Sequence, residues 1–399
     1  MKQRVIVIGN SYATRLGVIR SLGLIDCNVT VIHIGNFHNK RPEKPIDCYS
    51  KYVSRVLFFE RQEGEEGFVR FLLEQCVVDG QKAIIIPTSD FSALAIDNDA
   101  LREHFLVPYI NNEKSAIGYW MNKACQKGLA LHVGLNTPRS VVVERTEKGY
   151  AIPDKIKYPC FTKPVSSIGA GKRCLQRCNN VGELQQVLDV ADKNDIPEVL
   201  IEDYIDIEDE FAVLGFSDGK EVVIPGVIHF LRESQTHKGI AMTGKVLKTE
   251  GFEDLINKFK RFILQLGFVG IFDIDFLKSR DVFYFDELNL RIGGSATAIS
   301  SSGVNLSALF VKTMVGDNTD NIPRLVNHDS TFLNERMALD DFQTGNISMS
   351  EFRRLNRSAE ILFIRDDKDP GPQIEFNREF RKEIFNCKRL VKRILHIIK

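Results

Sequence analysis

Residues 272–295 read Phe272-Asp-Ile-Asp275-Phe-Leu-Lys-Ser-Arg-Asp-Val-Phe-Tyr-Phe-Asp-Glu287-Leu-Asn289-Leu-Arg291-Ile-Gly-Gly-Ser295, and this stretch decides how the rest of the chain is parsed. Its alternation marks two strands, Phe272 to Leu277 and Val282 to Leu290, joined by a polar turn near Lys278 to Asp281. On the second strand Glu287, Asn289 and Arg291 share one side, while Asp286, Leu288 and Leu290 take the other. The turn folds Asp275 back alongside Glu287, so that two carboxylates and an amide oxygen converge with a guanidinium just beyond. Hard oxygen donors of this kind suit Mg²⁺ or Mn²⁺, and Mg²⁺ takes the rest of its shell from phosphates and water. An isolated Glu-x-Asn-x-Arg is more often a solvated strand face with a surface ion pair. The aromatic flanks and the Gly293-Gly294-Ser295 ending argue against a solvent-facing position here.

Upstream, the chain alternates between strand and helix: Arg4 to Ile8, a helix from about Ser11 to Leu22, Val29 to Ile34, a helix from about Glu66 to Cys76, and Ala83 to Ile86. This rhythm predicts βαβ units and a parallel sheet whose ligands bind at the carboxyl ends of the strands. Those ends present Gly9-Asn10-Ser11, His33-Ile34-Gly35 and Pro87-Thr88-Ser89-Asp90. A nicotinamide site is disfavoured, because Gly9 is followed by Asn-Ser-Tyr-Ala-Thr-Arg and the Gly-x-Gly-x-x-Gly fingerprint is missing. A helical stretch Tyr119 to Val133 then carries Asn122-Lys123, and a strand Ser140 to Val143 follows. Next comes Phe161-Thr-Lys163-Pro-Val-Ser166-Ser167-Ile-Gly169-Ala-Gly171-Lys172, a strand running into a Gly/Ser loop. A helix Val181 to Ala191 and the strand Glu198 to Glu202 complete this smaller α+β unit. Glu210 to Phe216, Glu221 to Phe230 and a helix Phe252 to Leu266 lead into the opening stretch. The pattern is least legible beyond about residue 320.

Composition bounds the partners. The 399 residues carry 53 Lys plus Arg against 53 Asp plus Glu, so no global field draws nucleic acid or an anionic membrane. Hydrophobic residues make up 43%, and no apolar run approaches the roughly eighteen residues of a membrane span. Met-Lys-Gln-Arg and Val5 to Ile8 read as a first strand rather than a signal peptide, and a cytoplasmic location is expected. The eight cysteines, scattered in apolar contexts, are expected to be reduced and buried, and Cys174 with Cys178 lacks the second pair that a zinc site needs.

The arrangement resembles the ATP-grasp superfamily, especially the branch of carbamoyl-phosphate synthase and the carboxylate–amine ligases. The resemblance covers about three quarters of the chain. It implies a pre-ATP-grasp Rossmann-like domain (1–115), a small lobe (116–205), a large lobe with the metal site (206–320) and a C-terminal extension (321–399). Asp275, Glu287 and Asn289 match the family's metal ligands, the twelve-residue spacing of the carboxylates included. Arg291 matches the Arg that meets the transferred phosphate or the acyl intermediate, although the frequent Asn-Pro-Arg is Asn-Leu-Arg here. Lys163 matches the phosphate-binding lysine and Lys123 the earlier lysine at the mouth of the site, with Lys127 close enough to be mistaken for it. Ser166, Ser167, Gly169 and Gly171 lie in what resembles the loop that closes over the triphosphate. Glu202, Tyr204 and Ile205 match the hinge that reads adenine, and Glu210, with Asp209 as a near competitor, matches the ribose-binding acid. Substrate contacts are implied at Asn10, Ser11, Asp90, Arg291, Gly294 and Ser295.

By this resemblance the chain is expected to be an ATP- and Mg²⁺-dependent ligase that joins a small carboxylic acid to an amine, with homodimer formation as a general prior. Bicarbonate-using and non-catalytic ATP-binding readings stand as alternatives. Two features receive no role. His229, Arg232, His237, Lys238 and Lys245 form a basic set, and Phe380 to Ile398 repeats as a basic amphipathic helix that would suit a membrane surface, a partner helix or this protein's own core.

Overall fold

The computed structural model describes residues 2–38, 42–112, 116–166 and 174–384, which form three sheets. The first has five parallel strands in the order Val53–Glu60, Asn28–Gly35, Arg4–Gly9, Ala83–Pro87, Phe105–Leu106. Val5, Ile6, Val7, Ile8, Ile84, Ile85 and Ile86 are all buried, as a sheet covered on both faces demands. The strand order turns back between Arg4–Gly9 and Ala83–Pro87, which opens a crevice at their carboxyl ends. Gly9 permits the close approach there, since a Cβ on it would lie 2.0 Å from Thr88 Oγ1. The strand Val53–Glu60 went unread in the sequence. It lies at the sheet edge, and exposed Ser54 and Arg55 interrupt its apolar pattern.

The second sheet is antiparallel, ordered Gln176–Cys178, Cys160–Pro164, Glu198–Asp203, Ser140–Thr146, Gly149–Tyr150. Helix Val181–Lys193 backs it through Leu184, Val187, Leu188 and Ala191, with Asn180 capping its first turn through the Glu183 N–H.

The third sheet runs Val282–Asn289, Phe268–Ser279, Asp209–Asp218, Val227–Glu233, Ala241–Leu247, Ser330–Leu333, Ile361–Leu362. Two short strands, Val222–Val223 and Tyr109–Ile110, attach to it. The expected strand Glu221 to Phe230 is broken, because Pro225 and Gly226 interrupt the ladder between Val222–Val223 and Val227–Glu233. Helix Glu253–Leu266 covers the sheet with Ile256, Phe259, Phe262, Ile263 and Leu266, and ends at Gly267 with φ +74°. Past residue 320, strands Ser330–Leu333 and Ile361–Leu362 thus extend the edge of this same sheet.

Helix Tyr12–Gly23 joins the first sheet to the third by packing on helices Ala296–Ser301 and Leu306–Val315. A Cβ on Gly17 would lie 2.6 Å from Thr297 N. Arg20, from the same helix, donates to Phe363 O and Ile364 O and pairs with Asp369 at 3.1 Å. Among the described residues no helix is long and apolar enough to cross a membrane. Cys27, Cys48, Cys76, Cys160, Cys174 and Cys178 are buried free thiols. The described part of the C-terminal helix is Gly371–Ile384; the rest of the basic amphipathic segment lies outside the described residues.

Candidate active site

The two strands of the opening stretch, Phe268–Ser279 and Val282–Asn289, pair with Asp275 directly opposite Glu287 and Asp273 opposite Asn289. The register then slips, and Phe276 faces Phe285, which leaves Asp286 as the extra residue of a bulge. This corrects the expected alternation. Asp286 does not turn away with Leu288 and Leu290; it lines the same cleft as Glu287 and Asn289, while both leucines enter the core.

Val282–Asn289 is the outermost strand of its sheet, so its outer backbone needs partners. Buried Gln126 supplies two: its Nε2 donates to Leu288 O at 2.8 Å, and its Oε1 accepts from Leu288 N at 2.9 Å. The Phe285 N–H donates to Asn136 O at 2.8 Å. Gln126 sits on helix Lys123–His132, which Asn122 caps through the Ala124 and Cys125 N–H groups. The single expected helix Tyr119 to Val133 is therefore two, Ile117–Trp120 and Lys123–His132, with the cap between them.

That cap places the lysines. Lys123 pairs with Glu287 Oε1 and lines the cleft. Lys127, one turn on, pairs with Glu202 Oε1 at 2.5 Å. Lys163 bridges Asp286 Oδ1 and Glu202 Oε2, the latter at 3.0 Å. Lys123, Lys127, Lys163 and Glu202 are all buried. Burial pulls the Lys127 ammonium below its ordinary range despite Glu202 beside it. Burial acts the same way on Lys163, but Asp286 and Glu202 outweigh it and raise its pKa. Burial would raise Asp286, yet Lys163 with Lys127 and Lys123 holds it below the usual carboxylate range.

Asp273 and Asp275 go the other way. Burial pushes Asp273 up to about 6, partly offset by Arg291 and reinforced by Glu287 and Asp90. Asp275 is raised well above its ordinary value by burial and by Asp273, Glu287 and Asp286. The Asn289 amide nitrogen donates to Asp275 Oδ2 at 3.2 Å, which leaves its oxygen as the group that could serve a cation. Among the described residues no three His, Cys, Asp or Glu side chains stand gathered as a ready metal cage. Two carboxylates and an amide oxygen still fit Mg²⁺, which draws its remaining ligands from phosphate and water, and the crowded carboxylates are short of positive charge.

The cleft around these groups has a volume of about 830 Å³. Glu202, Tyr204, Ile205, Glu210 and Ser295 also line it. The Tyr204 N–H is already given to Pro159 O at 3.2 Å, so it does not present that donor to a ligand. Glu210 and Asp209 separate: Asp209 Oδ1 accepts from His229 Nε2 at 2.8 Å, whereas Glu210 faces the cleft, its pKa raised by burial and by Glu233 and Asp286. Ser166 bridges to Asn122; Ser167, Gly169 and Gly171 lie outside the described residues. In the basic set, Arg232 pairs with Glu351 and His237 with Asp340.

A second pocket of about 370 Å³ adjoins the cleft at the carboxyl ends of Arg4–Gly9 and Ala83–Pro87. Asn10, Ser11, Asp90, Arg291 and Gly294 line it with Thr88 and Ser89 of the same strand end, joined by Arg61 and Phe91, which carry no motif in the sequence. Arg291 belongs to both cavities and pairs with Asp90 at 3.0 Å and Asp273 at 3.5 Å.

The ATP-grasp domain family matches residues 129–301. The carbamoyl phosphate synthase large chain of Helicobacter pylori is 24% identical over 333 residues, covering 79% of this chain and 29% of that protein. The chain spans less than a third of the length of the carbamoyl phosphate synthase large chains it matches. Among solved structures, N5-carboxyaminoimidazole synthetase from Staphylococcus aureus, complexed with ADP, superposes with a TM-score of 0.63 at 15% identity, covering 89% of this chain and 87% of that one. L-amino acid ligase from Bacillus licheniformis superposes at 0.59 with 17% identity, covering 83% and 79%. Residues 129–301 thus match the ATP-grasp domain family, the chain is similar in sequence to carbamoyl phosphate synthase large chains, and its fold is similar to those of N5-carboxyaminoimidazole synthetase and L-amino acid ligase.

Proposed function

We propose that the protein is an ATP-dependent ligase that joins a small carboxylic acid to an amine through an acyl phosphate, releasing ADP and phosphate. The observation that carries this reading is Arg291, shared between a cleft lined by lysines and carboxylates and a separate polar pocket large enough for a small acid. Asp275, Glu287 and Asn289 would hold Mg²⁺, which when bound would supply positive charge to offset that of the phosphates. Lys163 and Lys123 exchange their carboxylate partners for the phosphates, lowering the charge that repels an incoming carboxylate. Ile205 and the hinge backbone flank the adenine, and Glu210 rather than Asp209 accepts from the ribose. An acid seated against Asn10, Ser11, Gly294 and Ser295 presents its carboxylate to the γ-phosphorus in line. Arg291 then stabilises the oxyanion formed when the amine attacks the acyl carbon.

Resemblance to carbamoyl phosphate synthases favours a second reading, in which bicarbonate is the acid phosphorylated. A bicarbonate ion, a single carbon with its oxygens, would leave most of the 370 Å³ pocket to water, and this supports the larger acid. Incubation with Mg·ATP, pools of acids and amines, and hydroxylamine separates the readings. ADP formed only with a particular acid, together with its hydroxamate, is the expected result. ADP with bicarbonate alone supports the second reading, and ATP binding without ADP in any pool overturns both.

A further inference from the structure

We infer that Arg61 selects the acid, and that this acid carries a second anionic group, carboxylate or phosphate, remote from the carboxyl that reacts. The inference rests on the ligase reading above. In the 370 Å³ pocket Arg291 already has two counter-charges, Asp90 and Asp273, so it contributes little net attraction for another anion. Arg61 is different. Glu60 and Glu63 flank it in sequence, yet neither pairs with it; Glu60 instead accepts from the Phe37 N–H at 2.8 Å. Among the described residues no carboxylate meets its guanidinium, which lies over the Phe91 ring, 4.7 Å from the centroid.

Stacking on one face fixes the plane of a guanidinium and leaves its N–H edge free for two parallel bonds, the geometry that carboxylate and phosphate accept. Arg61 and Arg291 line the same pocket, so a substrate can span from one to the other. A monoanionic acid would satisfy only the reacting end and leave the Arg61 charge unmatched. Asn10 and Ser11, on the same wall, offer neutral hydrogen-bonding groups to the body of the molecule.

The test uses the full chain with Mg·ATP and hydroxylamine, and matched acids that differ in one anionic group: aspartate with asparagine, glutamate with glutamine, succinate with succinamate, phosphoserine with serine. At least one anionic member is expected to exceed its neutral partner by tenfold or more in kcat/KM, and the phosphoserine arm separates phosphate from carboxylate. Arg61→Ala is expected to raise KM for that acid by about ten- to a hundredfold, the range for a lost charged hydrogen bond, while KM of the neutral partner moves less than twofold. Arg61→Lys, which keeps the charge and loses the fork, falls between. Equal use of neutral and anionic partners, or an Arg61→Ala loss shared by both, overturns the inference and leaves the ligase reading standing. Absence of ADP and hydroxamate with every acid overturns both together.

Discussion

Lys123 closes an ion pair onto Glu287, so the lysine proposed to meet phosphate and the carboxylate proposed to meet metal neutralise each other in the structure. On the proposed roles, nucleotide and metal are expected to bind as one unit. A triphosphate alone would compete with Glu287 for Lys123, and a cation alone would leave that buried ammonium short of its counter-charge. Each binding event becomes favourable when the other supplies the missing partner.

Calorimetry is accordingly expected to show ATP affinity falling by a hundredfold or more when Mg²⁺ is removed with EDTA. In Glu287→Gln the proposed metal site loses a ligand, and the carboxylate that competes with phosphate for Lys123 is gone. Metal-free ATP binding should then approach or exceed that of the wild type, while turnover drops by roughly a hundred- to a thousandfold, the scale of losing one charge-stabilising group. Unchanged magnesium dependence in this variant would remove Glu287 from the metal site.

The acid pair Asp273 and Asp275 ties stability to pH in the opposite sense to activity. Asp273 titrates near 6 when folded, above the roughly 3.9 of an unfolded chain, so the folded state takes up the extra proton as pH falls. The penalty for its ionised form is full above about 7, is relieved as pH drops through 6, and is gone near 4. Asp275 adds in the same direction. Relative to Asp273→Asn, the ligand-free wild type is expected to gain thermal stability between pH 7.5 and 5, and Mg·ADP should flatten the gain by favouring the ionised form. Turnover falls over the same interval as protons compete with the metal. A wild-type and variant difference that does not change with pH would contradict the raised value.

Lys163 joins Asp286 to Glu202, and burial gives that bridge a structural role beside the proposed phosphate-binding one. Lys163→Met leaves two carboxylates without their shared ammonium, and removing one partner of a buried pair typically costs about 3–5 kcal/mol. Asp286 is a quarter exposed, and Lys127 still contacts Glu202, so the lower end of that range is expected. Adding Glu202→Gln should restore part of the stability in urea unfolding without restoring ATP turnover. That separation distinguishes a phosphate-binding lysine from one that only holds two strands together.

What could be read from the sequence was what short-range pattern encodes. Val5 to Ile8 and Ile84 to Ile86 are continuous apolar runs, so the parallel sheet and its ligand-bearing ends were legible, as was the pairing of Asp275 with Glu287 across a short turn. The bulge at Asp286 was not, because period-two alternation carries no sign of a register slip. Gln126 was invisible for another reason: a glutamine inside an amphipathic helix reads as surface, and only the distant outer edge of Val282–Asn289 turns it into a backbone clamp. Arg61 likewise looked like one more charge in a run of charged residues. Its significance comes from Phe91, thirty residues away in sequence, and from a pocket that two strand ends enclose.

Gly293 offers the sharpest steric test of the link between cleft and pocket. A Cβ there would lie 1.7 Å from Asp273 Oδ2, while one on Gly294 meets nothing within 4 Å. Neither residue has the left-handed backbone that only glycine adopts easily, so alanine acts through contact alone. In Gly293→Ala the Asp273 carboxylate must move, and it takes with it a partner of Arg291. The expected result is a fall in kcat of a hundredfold or more with a lower Tm, because the guanidinium shared by the two cavities loses its position. Gly294→Ala keeps the wild-type Tm, and its effect is confined to KM for the acid. Adding Asp273→Ala to Gly293→Ala removes the clash, so Tm should recover while kcat does not. Equal Tm values for the two single alanine variants would mean that Asp273 does not pack against Gly293.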